Sequence, residues 1–363
     1  MPEIELPGVY VEELPAGVTP IEGVETSTTG FVGAAPDGLH GTAEKVLSFA
    51  EFERVFGGPR PDWELGYAVS LYFANGGREA WVVGVPAGTP LEAGLPYLED
   101  VDTLGLVCLP GETDVVVLRA ALELAERRRA FLLVDPPSGG RDSVLALAAE
   151  LSATGSSCGA SFYPSVRAPD PLAKGSPRTC PPSGAVAGMY ARTDSARGVW
   201  KAPAGQDADL RGVTEPTVDL RDHEVAELTT AGVNCIRRLA ARTVVWGART
   251  LAVDTEWKYV NVRRLSLFLE ESISRGTRWA VFEPNEEPAW ARLRAQCGNF
   301  LYTLFRKGAF QGTTPDQAYF VRCGRDTMTQ DDIDNGRVVI EVGVAPLRPA
   351  EFVIIRIGHV LRA

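Results

Sequence analysis

Two short apolar runs on either side of a helix-length segment constrain this chain more than any other feature in it. Leu104 to Leu109 and Ala130 to Val134 are strand-like, and between them Thr113 can cap a helix that continues through Arg128. Strand, helix, strand at this spacing is a β-α-β unit, whose crossover sets the two strands parallel in one sheet. The fold class expected is therefore α/β in the mixed α+β sense, a compact body of mixed sheets flanked by helices. A second helix is expected from Asp142 to Leu151. After it, Gly155 to Gly184 carries Pro164, Pro169, Pro171, Pro177, Pro181 and Pro182 among many Gly and Ser residues, which predicts a long surface loop.

Upstream, Phe49 to Phe56 is a short amphipathic helix stopped by Gly57-Gly58-Pro59. Leu65, Val69, Tyr72 and Phe73 recur at helical spacing until Asn75-Gly76-Gly77, and Ala80 to Val85 forms a strand. Downstream, Val262, Leu265, Leu269 and Ile273 mark one face of a helix ended by Gly276, followed by a strand at Arg278 to Phe282. The next helix has Asn285 as N-cap candidate, Glu286 and Glu287 in its first turn, Pro288 near its start, and Arg306 and Lys307 before Gly308, an order the helix dipole favours. Trp290, Leu293, Cys297, Leu301 and Leu304 form its apolar stripe. Strands are expected at Ala318 to Arg322 and Arg337 to Val344.

The two ends differ from this body. Residues 1 to 30 are rich in Pro, Gly and Thr, with one extended run at Gly8-Val9-Tyr10-Val11, and bury little alone, so they form an extended arm or a disordered tail. The closing run Phe352-Val353-Ile354-Ile355-Arg356-Ile357 wants cover on both faces and can fill a slot in its own sheet or in a neighbour's.

Several chemistries are disfavoured. With 36 basic and 47 acidic residues the net charge is -11, which repels phosphate backbones and anionic headgroups, so neither nucleic acid nor a membrane surface is an expected partner. The start, Met1-Pro2-Glu3-Ile4-Glu5, lacks a secretory signal pattern, and nowhere do eighteen apolar residues run together, so synthesis in the cytoplasm without membrane insertion is expected. The six cysteines, 108, 158, 180, 235, 297 and 323, lie far apart with no Cys-x-x-Cys pair and read as reduced structural thiols. The turn Leu109-Pro110-Gly111-Glu112-Thr113-Asp114 has one glycine and two carboxylates where a nucleotide phosphate would sit. At Asp331, Asp332 and Asp334, Ile333 occupies a position a calcium loop needs as ligand, and Thr329 makes the cluster a capped helix start. Glu270 and Glu271 diverge on a helix, and Ser183 has no nucleophile elbow. No catalytic residue, cofactor or metal site is expected.

Several segments together resemble the sheath protein of contractile phage tails, R-type pyocins and extracellular contractile injection systems. They are Pro7-Gly8-Val9-Tyr10-Val11-Glu12-Glu13, Gly30-Phe31-Val32-Gly33, Leu65-Gly66-Tyr67-Ala68-Val69 and Ala80-Trp81-Val82-Val83, then Ser183-Gly184-Ala185-Val186-Ala187-Gly188, Gly198-Val199-Trp200-Lys201-Ala202-Pro203-Ala204-Gly205 and Trp257-Lys258-Tyr259-Val260-Asn261-Val262-Arg263-Arg264. Most telling are Phe282-Glu283-Pro284-Asn285, Gly308-Ala309-Phe310-Gln311-Gly312 and Pro346-Leu347-Arg348-Pro349-Ala350-Glu351-Phe352. The chain is short for a phage sheath, which implies that the extra surface domains of larger members are missing.

The resemblance implies a mechanical protein, not an enzyme. Hexameric rings stack helically around a rigid inner tube and contract from a metastable extended state, driving the tube through a target envelope without nucleotide hydrolysis at firing. It implies self-association, an inner tube protein, baseplate and cap proteins as partners, and a place in a phage tail or a tail-like particle that can be released. The organisation it implies is a linking arm over 1–28, body segments over 29–100 and 101–185, a tube-facing C-terminal body over 186–348 and a second linking arm over 349–363. The arm strands would be Val9, Tyr10 and Val11 at one end and Phe352, Val353, Ile354, Ile355 and Ile357 at the other. Burying five apolar side chains of the closing run yields roughly 7–15 kcal/mol gross, against about 1–2 kcal/mol of ordering per residue. Ladder hydrogen bonds to a neighbour's sheet edge are therefore needed as well. For the tube-facing surface the candidates are the acidic turn Asp331, Asp332 and Asp334, and the helix carrying Arg292, Arg294, Arg306 and Lys307. Two other functions fit parts of the sequence: an α/β enzyme built on the Leu104–Val134 unit, and a static scaffold or baseplate component.

Overall fold

The computed structural model describes residues 20–36, 41–173, 176–252 and 255–349. They divide into a larger unit, Gly23–Glu271 with Ala309–Gln311 and 346–349, and a smaller one, 20–22 with Ser272–Gly308 and Gly312–Ala345.

The larger unit opens with β1 (Thr29–Ala34), β2 (Ala43–Val46), α1 (Phe49–Phe56), α2 (Leu65–Asn75) and β3 (Ala80–Val85). Ser48 caps α1 by accepting from the Glu51 N–H at 3.2 Å, and Gly57 closes it at φ 78°, a left-handed turn that costs glycine least. The β-α-β unit follows as β4 (Leu106–Cys108), α3 (Val115–Arg127) and β5 (Phe131–Val134). Its cap is Asp114, one residue later than expected, with the carboxylate accepting from Val116 N at 2.8 Å. Next come α4 (Arg141–Ser152), β6 (Gly159–Tyr163), β7 (Val166–Pro169), β8 (Pro177–Cys180), α5 (Ser183–Arg197), β9 (Glu215–Pro216), α6 (Asp222–Thr230), β10 (Val233–Leu239), β11 (Arg242–Trp246) and α7 (Val260–Gly276).

One eight-stranded sheet in the order β11-β10-β6-β5-β4-β1-β3-β2 organises this unit. Its six inner strands pair parallel, and β2 and β11 close the two edges antiparallel. Because strand order reverses at β1, right-handed crossovers put α2 and α3 on opposite faces. α2 and α5 pack on each other and on β1, β4 and β5, while α3 packs on α4, β4 and β5. Covered on both sides, β5 and β6 are buried at every position, which explains their continuous apolar runs.

The expected loop from Gly155 to Gly184 is instead broken by three strands and ends in a helix start. It contains β6, the strands β7 and β8 of a small β8-β7-β9 sheet, and the start of α5. Two of its prolines stand at strand ends: Pro169 pairs with Pro177 where β7 finishes and β8 begins, the place a residue without an N–H disturbs a ladder least.

The smaller unit holds the end of α7, α8 (Glu287–Arg306), α9 (Pro315–Ala318), β12 (Tyr319–Arg322), α10 (Gln330–Asp334) and β13 (Glu341–Val344). Trp290, Leu293, Cys323 and Met328 form its buried cluster. The strand expected at Arg278–Phe282 is a single 3-10 turn, Arg278–Ala280. Ala280 N bonds Thr277 O at 3.0 Å and Val281 N bonds Arg278 O at 3.2 Å, so local turns take the groups a ladder would need. The last strand covers only Glu341–Val344 of the stretch from Arg337. Glu286 is the N-cap residue of α8, and the Asn285 side chain instead accepts from Trp290 Nε1 at 2.8 Å. All six cysteines are buried. No described helix is long and apolar enough to cross a membrane.

Candidate functional site

In an open α/β sheet the usual ligand crevice lies at the carboxyl ends of the strands, where the strand order reverses. Beside that point the chain supplies an anion of its own. Asp135 directly follows β5 and is buried. Its Oδ2 accepts from Gly111 N at 3.0 Å and from Ser183 Oγ at 2.7 Å, and its Oδ1 accepts from Ser183 N at 2.8 Å. The N–H groups of a turn after β4 and of the α5 start, which could cradle a phosphate, are thus held by a carboxylate. Burial pushes this carboxyl up to about 6, against the opposing pull of the three hydrogen bonds. Burial likewise drives the neighbouring Cys108 thiol up.

A second buried network surrounds the roots of the two terminal segments. Arg264 on α7 meets Asp194 on α5 through Nη2 at 2.6 Å and Nη1 at 3.1 Å, and both side chains are at most 5% exposed. Thr26, on the segment leading into β1, donates its hydroxyl to Asp194 at 2.7 Å, and its carbonyl accepts from Arg264 Nη2 at 2.9 Å. The guanidinium also lies 5.1 Å from the centre of the Tyr190 ring. One turn earlier on α7, Asn261 Nδ2 donates to Leu347 O at 2.8 Å and to Trp200 O at 3.0 Å. Asn261 and Arg264 are spaced i, i+3, so one helical face holds both roots. The arm residues themselves, Val9, Tyr10, Val11, Phe352, Val353, Ile354, Ile355 and Ile357, lie outside the described residues.

The charged candidates fall in the smaller unit. Asp331, Asp332 and Asp334 share α10, whose start is a capping box: Thr329 Oγ1 accepts from Asp332 N at 3.2 Å, and the Asp332 carboxylate accepts from Thr329 N at 2.9 Å. Hydrogen bonds from Thr329 foremost, with Arg337 beside it, hold the Asp332 carboxyl below its ordinary value. Arg337 reaches Asp331 at 2.5 Å and Asp332 at 2.8 Å, and Asp334 accepts from Gln330 at 2.8 Å. On α8, Arg292 stacks 3.9 Å over the Trp279 ring, and Arg294 pairs with Glu287 at 2.5 Å and bonds the Cys323 carbonyl. Arg306 and Lys307 stand at the other end, about 18 Å along the helix axis from Arg294, and neither forms an ion pair among the described residues. The acidic candidates therefore sit together, whereas the basic ones divide into two pairs.

Two features of this unit escaped sequence reasoning. β12 and β13 pair only with each other among the described residues, and the sheet leaves Phe320 43% exposed. A two-stranded sheet is marginal by itself. The turn after α7 presents Val281 and a fully exposed Phe282. Phe282 has φ 75°, a left-handed backbone that a bulky residue rarely adopts. A positive φ leaves no mark on the sequence, and the number of partners a strand lacks leaves none either.

The family model described as phage tail sheath protein central domain matches residues 97–251, and the phage tail sheath C-terminal domain matches residues 252–358. A prophage major tail sheath protein of Pseudomonas aeruginosa (strain UCBPP-PA14) is 28% identical over 185 residues, covering 48% of this chain and 46% of that protein. The tail sheath protein of Enterobacteria phage T4 is 24% identical and is covered over 26% of its length, so the chain spans less than half of the curated relatives it matches. Among solved structures, the PVC sheath complex of an extracellular contractile injection system in its contracted state is 32% identical. It aligns over 98% of both chains with a TM-score of 0.82. The contracted helical sheath of the anti-feeding prophage is 33% identical over 98% of this chain and 99% of that one, with a TM-score of 0.79.

Proposed function

Because the chain belongs to the phage tail sheath family, we propose that it is the sheath subunit of a contractile injection system, a structural protein rather than an enzyme. Subunits form hexameric rings that stack helically around an inner tube, join a baseplate at one end and a cap at the other, and shorten from a metastable extended lattice. The observation that carries this is the two-stranded β12–β13 sheet, without a further strand among the described residues, in a chain whose sequence also holds the apolar run Phe352–Ile357. Strands around Val9–Val11 and Phe352–Ile357 of neighbouring subunits would extend this two-stranded sheet by β-augmentation, adding ladder hydrogen bonds and covering Phe320. The intramolecular hold on Asp135 supports a body without nucleotide chemistry, since the crevice donors at Gly111 and Ser183 are taken.

Contact with the inner tube falls to the smaller unit's charges. Asp331 and Asp332 are partly neutralised by Arg337, and Arg294 by Glu287, so Asp334, Arg306 and Lys307 carry most of the polar attraction, with Arg292 held against Trp279. Exposed pairs are individually weak, about 0–1 kcal/mol each, which suits a sheath that must leave its tube.

Negative-stain electron microscopy of the chain, alone and with its cognate tube protein, tests the function: striated hollow tubes are expected. A chain ending at residue 349 should keep its far-ultraviolet circular dichroism and form no tubes. Unchanged tubes from that truncated chain would refute the arm exchange.

A further inference from the structure

We infer that the exposed Val281–Phe282 knob of one subunit docks into a groove between α6 and the end of β11 on a second copy of this chain, an inference that rests on the sheath reading. The knob is built to stay out. Trp279 Nε1 donates to Gln296 at 2.8 Å, Arg292 covers the Trp279 ring, Glu283 N bonds Ala280 O at 3.2 Å, and Trp290 fixes Asn285. These contacts hold both flanks of the turn while Phe282 stands in solvent at φ 75°. A left-handed bulky residue and a wholly exposed aromatic ring are each unfavourable in a free subunit, and strained positions of this kind gather where a partner is recognised.

The groove is about 590 Å³, within the range of about 300–1,000 Å³ typical of binding clefts. Ala204, Val225, Ala226 and Trp246 give it an apolar lining, and Lys201 and Arg249 add positive charge there, while its one carboxylate, Asp222, is paired with Arg237 at 2.9 Å. Glu283 and Glu286 flank the knob, so the charges are complementary. Knob and groove are different surfaces of the same chain. Joining them between copies is therefore a heterologous contact, the kind that generates rings or helical stacks rather than closed two-fold dimers. That is the symmetry a sheath requires, and it selects a second copy over other occupants.

The test places the photoreactive phenylalanine analogue p-benzoylphenylalanine at position 282 of the full chain, co-expressed with its cognate tube protein. Irradiated tubes should give a cross-linked dimer whose adduct maps to 201–205, 225–230 or 246–249 of the other copy. Adducts on the tube protein, within the same subunit, or on 350–363 would overturn the contact while leaving the sheath reading intact. Failure of the unmodified chain and tube protein to form tubes would remove the reading and the contact together. As an independent arm, Ala226→Trp fills the groove from an exposed position on α6. It should reduce sedimentable tubes at least about tenfold with the urea midpoint of the free subunit unchanged, and wild-type tube yield would refute the docking.

Discussion

Asp135 carries the charge least suited to its surroundings. Its carboxyl sits near 6 in the folded chain, against about 3.9 when unfolded. The folded state keeps a proton that the unfolded state has already released. Stability from this group is complete below about pH 4 and is lost as pH rises through about 6, a change of about 3 kcal/mol. Urea midpoints between pH 4 and 7 should show that decline, and Asp135→Asn should flatten it; an equal decline in the variant would assign it to other groups. Arg264 behaves differently because its partner is also buried. Arg264→Ala leaves the Asp194 charge alone and should cost about 3–5 kcal/mol, whereas replacing the pair together, Asp194→Leu with Arg264→Met, should cost much less. Both sites were illegible in the sequence for one reason. Asp135 meets Ser183 forty-eight positions on, and Arg264 meets Asp194 seventy positions back, distances at which spacing carries no information.

Elements were legible where their signals are local. The β-α-β unit announces itself through two continuous apolar runs and a capped helix, and it folds that way. α5 does not announce itself, because Ser183–Ala191 are all buried and a helix covered on every side has no apolar stripe. Its spacing records a different constraint. A Cβ at Gly184 would lie 2.2 Å from the Ala68 carbonyl oxygen, and one at Gly188 would lie 2.2 Å from that of Tyr72. Two glycines four apart thus face two carbonyls four apart, and α2 and α5 meet backbone to backbone. Gly184→Ala and Gly188→Ala should each lose about 1–3 kcal/mol or more, seen as a lower thermal midpoint. Gly298 in α8 has open space where a Cβ would stand, so Gly298→Ala should gain about 0.5–1 kcal/mol. A common sign for all three would refute the packing argument. The segment 155–184 was misread because β7 and β8 are only four residues long and each ends or begins on a proline, so the breaker signal masks the short strands between.

For the whole molecule, the net charge of -11 made nucleic acid an unexpected partner, and the ordered set of family segments pointed to a sheath protein. The partners of individual charges stayed hidden until the chain folded, as with Arg337 closing on Asp331 and Asp332. If Arg306 and Lys307 help hold the inner tube, Arg306→Glu with Lys307→Glu should abolish co-purification of tube protein at low salt while sheath rings still form. Retained tube would exclude these two cations. The network at the start of α7 has a consequence for any force applied through the ends of the chain. Thr26 and Leu347 are fixed by side chains one helical turn apart, about 4.5 Å along the axis. A pull entering through one terminal segment and leaving through the other would cross a single turn of helix, and the eight-stranded sheet would ride beside that load path without carrying it.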